Sequence, residues 1–263
     1  MTWGPELFAG TAPYYARYRR YPDAMYDLLA RECRLDGEAR LLDLGCGTGT
    51  LCIPLSAGVA DVLAIDPDAE MLAEARRIAS ERRARNIAFE PGYAEEFDPA
   101  RGAFRAVTIG SALHWMDRER VLDVVYQTLE PGGALAVCGA GGKDECFVGP
   151  DPRPVYGEVI ARFLGPERRA GASTFTHAPE PHQDVIGRSR FGGSETVHVP
   201  DDTQQTIDDI VGLLFSTSFA NRRLLGDDAD AFAQEVRRAL AQLEPGGIFH
   251  RHIDCEVILA RKT

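Results

Sequence analysis

The chain has 263 residues, 44% of them apolar, which is enough for one large domain, or a domain with a cap, that folds alone. Its formal net charge of −11 argues against a general affinity for nucleic acid or anionic membrane, because phosphate contacts need clustered Lys and Arg. The six cysteines form no Cys-x-x-Cys pair, no run of about 18 apolar residues occurs, and MTWGPELFAG lacks the basic start and apolar centre of a signal peptide. Zinc, a disulfide framework and membrane insertion are therefore not indicated, and a cytoplasmic location is expected.

Residues 1–21 interleave Tyr14, Tyr15, Tyr18 and Tyr21 with Arg17, Arg19 and Arg20, a mixture too polar for core and suited to a lid or pocket wall. A helix follows from Pro22 to about Cys33, with Met25, Leu28 and Leu29 at helical spacing. Next comes LLDLGCGTG, Leu41 to Gly49: a short apolar strand, a tight turn at Gly45, Gly47 and Gly49, and a short helix from Leu51 to Ser56. Three glycines in five positions suggest close approach of a flat or extended ligand. Val62 to Ile65 form a second strand ending in Asp66, placed to accept both ribose hydroxyls of a nucleoside across the switch-point crevice. The turn is one residue shorter than the dinucleotide fingerprint, and Asp43 would set a negative charge where a pyrophosphate should lie, so the ligand is expected to carry positive charge.

Asp68 is a plausible N-cap for a helix that buries Met71, Leu72, Ala75 and Ile78. Ile87 to Glu90 reads as a third strand leading into Pro91-Gly92-Tyr93-Ala94-Glu95, and Phe104 to Gly110 as a fourth leading into Ser111-Ala112-Leu113-His114-Trp115. An amphipathic helix over 117–129 stops at Glu130-Pro131-Gly132-Gly133, before a fifth strand from Ala134 to Cys138. This alternation argues for a parallel, doubly wound sheet. From Gly139 to Arg190 the rhythm breaks, with one helix expected from Val155 to Leu164, and the apolar Phe147, Tyr156, Phe163, Phe175 and Phe191 argue for a cap or insertion. A sixth strand is expected at Thr196 to Val199, helices at Thr203 to Leu214 and Asp228 to Leu243, and a closing strand at Ile253 to Ala260.

LLDLGCGTG resembles motif I of the class I S-adenosylmethionine-dependent methyltransferases. YARYRRYP, SALHW, LEPGGALAV and STSF followed by LLG are similar to segments of the group that includes trans-aconitate methyltransferase and the type 11 methyltransferases. The match spans roughly residues 12–140. It implies a Rossmann-like, doubly wound, seven-stranded mixed sheet with an N-terminal lid (1–21), a cofactor-binding core (22–140), a cap carrying the sixth strand (141–221) and a C-terminal helix and strand completing the core (222–263). It also implies S-adenosyl-L-methionine as cofactor and S-adenosyl-L-homocysteine as product. The cofactor residues expected are Tyr18 and Arg19 from the lid, Asp43, Gly45, Cys46, Gly47, Thr48 and Gly49 from motif I, and Asp66, Pro67 and Met71 after the second strand. Tyr93, Ala94 and Glu95 are expected at the adenine and Ser111 and Ala112 after the fourth strand.

The acceptor is expected to be a small molecule, with Tyr14, Tyr15, His114, Trp115, Phe215, Phe219, Arg222 and His250 on the substrate side. His114, at the mouth of the fourth strand, is the candidate general base, with packing beside the cofactor as its other reading. His177 and His182 have no Cys or acid partner at metal-ligating spacing, so no metal is expected. No Gly-x-Ser-x-Gly elbow supports a hydrolase. Two alternatives stay open: a protein that binds S-adenosylmethionine without transferring methyl, acting as a cyclase or sensor, and a nicotinamide-dependent oxidoreductase, which the glycine spacing and Asp43 disfavour.

Overall fold

The computed structural model describes residues 5–139, 145–167, 169–170, 173–174 and 180–263; Phe175 and His177 lie outside them. A short 3-10 turn, Pro5–Phe8, precedes α1 (Ala12–Tyr18) and α2 (Asp23–Glu32), and β1 (Arg40–Leu44) leads through the glycine turn into α3 (Cys52–Leu55). Then follow β2 (Asp61–Asp66), α4 (Ala69–Glu81), β3 (Ile87–Pro91), β4 (Phe104–Gly110), α5 (Arg118–Thr128) and β5 (Leu129–Gly139). The second half holds β6 (Cys146–Val148), α6 (Pro152–Leu164), the small pair β7 (Arg169–Ala170) and β8 (Ser173–Thr174), and α7 (His182–Arg188). It ends with β9 (Glu195–Thr206), α8 (Ile207–Phe215), α9 (Arg222–Leu225), α10 (Ala229–Leu243) and β10 (Ile248–Arg261).

The main sheet runs β3-β2-β1-β4-β5-β10-β6, with β9 on the other side of β10. The pairs among β1 to β5 are parallel and those of β10 antiparallel, as expected for a mixed doubly wound sheet, but the strand count is eight rather than seven. The extra strand is β6, whose Cys146 to Val148 pair with His252 to His250 of the long β10. Side chains alternate across β1: Leu41 joins an apolar layer with α2, α3 and α4, while Leu42 and Leu44 join the layer under α5 and α7. Asp68 caps α4 as its sequence suggests, accepting from the backbone N–H of Glu70 and Met71.

A third apolar cluster packs α6, α8, α9 and α10 around Phe232, Val236 and Phe249. α10 belongs to this cluster, so a boundary at residue 221 runs through it. The stretch 195–206 also differs from expectation. In place of a strand over 196–199 and a helix from Thr203, β9 extends to Thr206, held by twelve register pairs with β10. Pro200 is tolerated there because β9 is an edge strand. The helix begins only where a capping box allows it, with Thr206 Oγ1 accepting from Asp209 N–H and the Asp209 carboxylate accepting from Thr206 N–H. Residues 5–21 pack more closely than a polar strap: Leu7, Thr11, Ala12 and Tyr21 are buried, and α1 touches both α4 and α8.

Candidate functional site

The glycine turn is fastened to the end of β2. Gly45 N–H and Cys46 N–H both donate to the Ile65 carbonyl, at 2.8 and 3.0 Å, and Gly47 N–H donates to Asp66 Oδ2 at 2.8 Å. The other Asp66 oxygen accepts from Asp68 N–H at 2.8 Å. Each oxygen keeps a lone pair for a further donor. Gly47 sits at φ +54, and a Cβ there would meet only a Tyr15 ring carbon, 4.0 Å away, so the backbone presents an open face to the cavity. At Gly45, φ +67, a Cβ would instead run into the Ala112 Cβ at 2.7 Å. Gly47→Ala is therefore expected to cost about 1 to 2 kcal/mol of stability for its left-handed backbone while weakening nucleoside binding about tenfold or more by filling that open face. Chemical denaturation and calorimetry on the same variant measure the two separately.

Three cavities adjoin here, two of them lined by the turn, and Tyr15 and Ser111 line all three. The first, about 120 Å³, gathers Gly45, Gly47, Asp66, Pro67 and Met71 with Tyr93, Ala94 and Glu95 on one side and Ala112 and Trp115 on the other. Its Glu95 is buried, accepting from Asp117 N–H at 2.8 Å. The second, about 330 Å³, takes in Asp43, Cys46, Tyr18, Arg19 and Tyr21, with Glu145, Tyr156 and Arg251 further along its wall. The third, about 340 Å³, holds His114, Trp115, Phe219, His182 and Glu256. Ser111, at their junction, is one of three described non-glycine residues with positive φ, at +51. Its N–H donates to the Cys138 carbonyl, and its hydroxyl lies 3.0 Å from the Tyr21 hydroxyl. Strain of this kind persists where surrounding structure holds a functional residue in place.

Asp43 is 1% exposed; Thr108 Oγ1 donates to its Oδ1 at 2.7 Å, while Oδ2 is buried with no hydrogen-bond partner. Burial pushes its carboxyl up to about 6, against the Thr108 hydrogen bond and weaker interactions with the Cys52 thiol and backbone N–H. Burial likewise raises Asp66 to about 6, against the N–H donors of Asp68 and Gly47. Two buried acids at one end of a sheet, one with an unmatched oxygen, form a site that a ligand bearing an ammonium group and hydroxyls would complete.

Some of the expected site residues lie elsewhere. Thr48 and Gly49 are buried in the turn and line none of the three cavities. Tyr14 and Phe215 pack ring to ring at 5.2 Å beside the cap cluster, and Arg222 lies over Phe215 at 5.2 Å while pairing with Asp230 at 2.7 Å. His250 is exposed on β10 and outside the cavities, because its strand continues five residues before the expected start at Ile253. Conversely, Tyr156, Arg251, His182 and Glu256 were not anticipated as wall residues; they come from the second half of the chain, where no motif marks them. The contact of Tyr18 with Gly212 was also unmarked: a Cβ at Gly212 would fall 2.1 Å from the Tyr18 ring, so α1 docks on α8 through the one residue that leaves room.

Comparison with known proteins agrees with this architecture. Residues 41–133 match the family described as Methyltransferase domain. The uncharacterized methyltransferase Rv3342 of Mycobacterium tuberculosis (strain H37Rv) is 36% identical over 116 residues, 44% of each chain, and the malonyl-[acyl-carrier protein] O-methyltransferase of Enterobacter lignolyticus is 31% identical over 130 residues, 49% of this chain and 50% of that one. The chain thus spans about half the length of the curated relatives it matches. Among solved structures, the YcgJ protein of Bacillus subtilis superposes with a TM-score of 0.56 at 17% identity, covering 92% of this chain and 99% of that one. The [4+2]-cyclase SpnF superposes with a TM-score of 0.53 at 21% identity, covering 91% and 81%. The chain shares the fold of these solved structures, and its residues 41–133 are similar to the methyltransferase domain family. Among the described residues no helix is long and apolar enough to cross a membrane.

Proposed function

We propose that this protein is a cytoplasmic S-adenosylmethionine-dependent methyltransferase acting on a small-molecule acceptor. The observation that carries the reading is the pairing of Asp66 beside the open Gly47 backbone with Asp43 Oδ2, buried and unmatched, at the other side of the turn. The residues fit the cofactor. Asp66 would accept the ribose hydroxyls, Tyr93, Ala94 and Met71 would enclose the adenine, Asp43 would face the ammonium group, and Arg19 would face the carboxylate. Bound there, the cofactor supplies a methyl group on a positively charged sulfur.

The chain's own contribution is to orient an acceptor lone pair in line with that carbon, exclude water, and take up a proton where the acceptor has one to lose. His114, its ring 4.6 Å from that of Trp115 in the third cavity, is the group we assign to the proton. With the cofactor held there, the acceptor's electron pair would form the new bond to carbon and the carbon–sulfur pair would leave with S-adenosylhomocysteine. Relatives named for malonyl-[acyl-carrier protein], ubiquinone and demethylmenaquinone chemistry support a small or carrier-bound acceptor. Incubation with labelled methyl donor and a panel of hydroxyl, amine and carboxylate acceptors tests the reading. Label in an acceptor supports it, and cofactor binding with no transfer across the panel favours the non-transferring alternative.

The two raised carboxyls give a pH signature. Their folded values near 6 exceed the unfolded value near 3.9, so their favourable contribution to stability is full below about pH 4 and is lost as pH rises through 6. A ligand that brings an ammonium group and hydroxyl donors favours the ionised forms. S-adenosylhomocysteine is therefore expected to raise the melting temperature more at pH 8 than at pH 5; an equal or smaller shift at pH 8 contradicts the pairing.

A further inference from the structure

The third cavity has a chemical character that methyl transfer alone does not require. Its walls are aromatic, with Phe8 and Trp115 packed edge to face at 6.0 Å and with Tyr15 and Phe219 also contributing. Glu256 of β10 lines the same space. Its carboxylate accepts a 2.6 Å hydrogen bond from Gln183 Nε2 on α7, and among the described residues no Arg or Lys is ion-paired with it.

Among the described residues, Arg19 and His182 also border this space, and neither is ion-paired with Glu256. Arg19 borders this cavity and the second one alike; its Nε donates to Ser216 Oγ at 2.9 Å, its guanidinium lies 4.8 Å from the centre of the Tyr15 ring, and we assign it to the cofactor's carboxylate. His182 Nδ1 lies 3.5 Å from Arg118 Nη1; a guanidinium only donates, so Nδ1 accepts and the ring proton sits on Nε2. Burial, and then Arg118, push the His182 pKa down, so the ring is neutral at neutral pH and does not compete for a cation. An aromatic-walled space with one fixed, unpaired carboxylate selects a ring that carries a positive charge.

We infer that this cavity receives a methyl acceptor bearing an aromatic ring and a protonated amine, with Glu256 as the counter-charge and Gln183 as the residue that holds Glu256 in position. The inference rests on reading the neighbouring cavities as the cofactor site. The acid that binds the amine is distinct from His114, which is assigned to the reacting atom.

Three phenols of similar size test it: tyramine, the neutral tyrosol and the anionic 4-hydroxyphenylacetate, each titrated calorimetrically into the protein with and without saturating S-adenosylhomocysteine. Tyramine is expected to bind about tenfold or more tighter than tyrosol, and 4-hydroxyphenylacetate weakest. Glu256→Gln keeps an oxygen for the Gln183 amide, so the fold and the affinity for S-adenosylhomocysteine should be retained while tyramine falls to the level of tyrosol. Equal binding of the three probes, binding of none, or a tyramine preference that survives in Glu256→Gln overturns the inference. Failure of S-adenosylhomocysteine to bind overturns the cofactor reading instead, and the probe series without it then decides the role of Glu256 by itself.

Discussion

Asp66→Ala is expected to weaken S-adenosylhomocysteine binding by about 1.5 to 3 kcal/mol, from the loss of charge-assisted hydrogen bonds to the ribose. It should also destabilise the protein without ligand by about 1 to 3 kcal/mol, because the Gly47 and Asp68 N–H groups lose their acceptor in a largely buried place. The two effects have different causes and can be separated. Asp66→Asn keeps one carbonyl oxygen for the backbone, so it should recover part of the stability while still binding the nucleoside poorly. Calorimetry and urea unfolding of both variants check this. Unchanged affinity in Asp66→Ala removes the ribose assignment.

His114→Ala is expected to lower turnover about a hundredfold or more on whichever acceptor the labelled-methyl panel yields, within the range that a positioned acid or base contributes. S-adenosylhomocysteine affinity should stay within a few-fold, since His114 lines the acceptor cavity and not the one holding Asp66. The pH dependence separates a proton-transfer role from packing. A base gives a limb in the rate profile that the variant lacks, with activity partly restored by added imidazole. A variant that loses affinity for cofactor and acceptor together, with an unaltered pH profile, assigns His114 to packing.

The features legible in the sequence are those fixed by local chemistry. The glycine turn must follow a strand because only glycine takes its dihedrals without strain. Asp66 ends an apolar run that the parallel sheet sets beside that turn, and the β4 loop carries Ser111, Ala112, His114 and Trp115 to the same end. Asp68 announces its helix by capping it. What was not legible depends on partners far away in the chain. β9 runs on to Thr206 although Asp201 to Gln205 has no strand-like pattern, because β10 supplies a matching edge. β6 exists only by pairing with His250 to His252. Gln183 meets Glu256, and Arg251 meets Glu145 at 2.6 Å, across 73 and 106 residues of chain, which no spacing rule encodes. Tyr14, Phe215 and Arg222 look like pocket residues by composition, but they pack against one another once α8, α9 and α10 form a shared apolar cluster.

The central claim is that the paired acids around the glycine turn hold S-adenosylmethionine, and calorimetric titration of the purified protein with S-adenosylmethionine and S-adenosylhomocysteine, without acceptor, tests it most directly. The account predicts micromolar, one-to-one binding of both, undisturbed by excess NAD. No binding of either, or displacement by NAD, would contradict it.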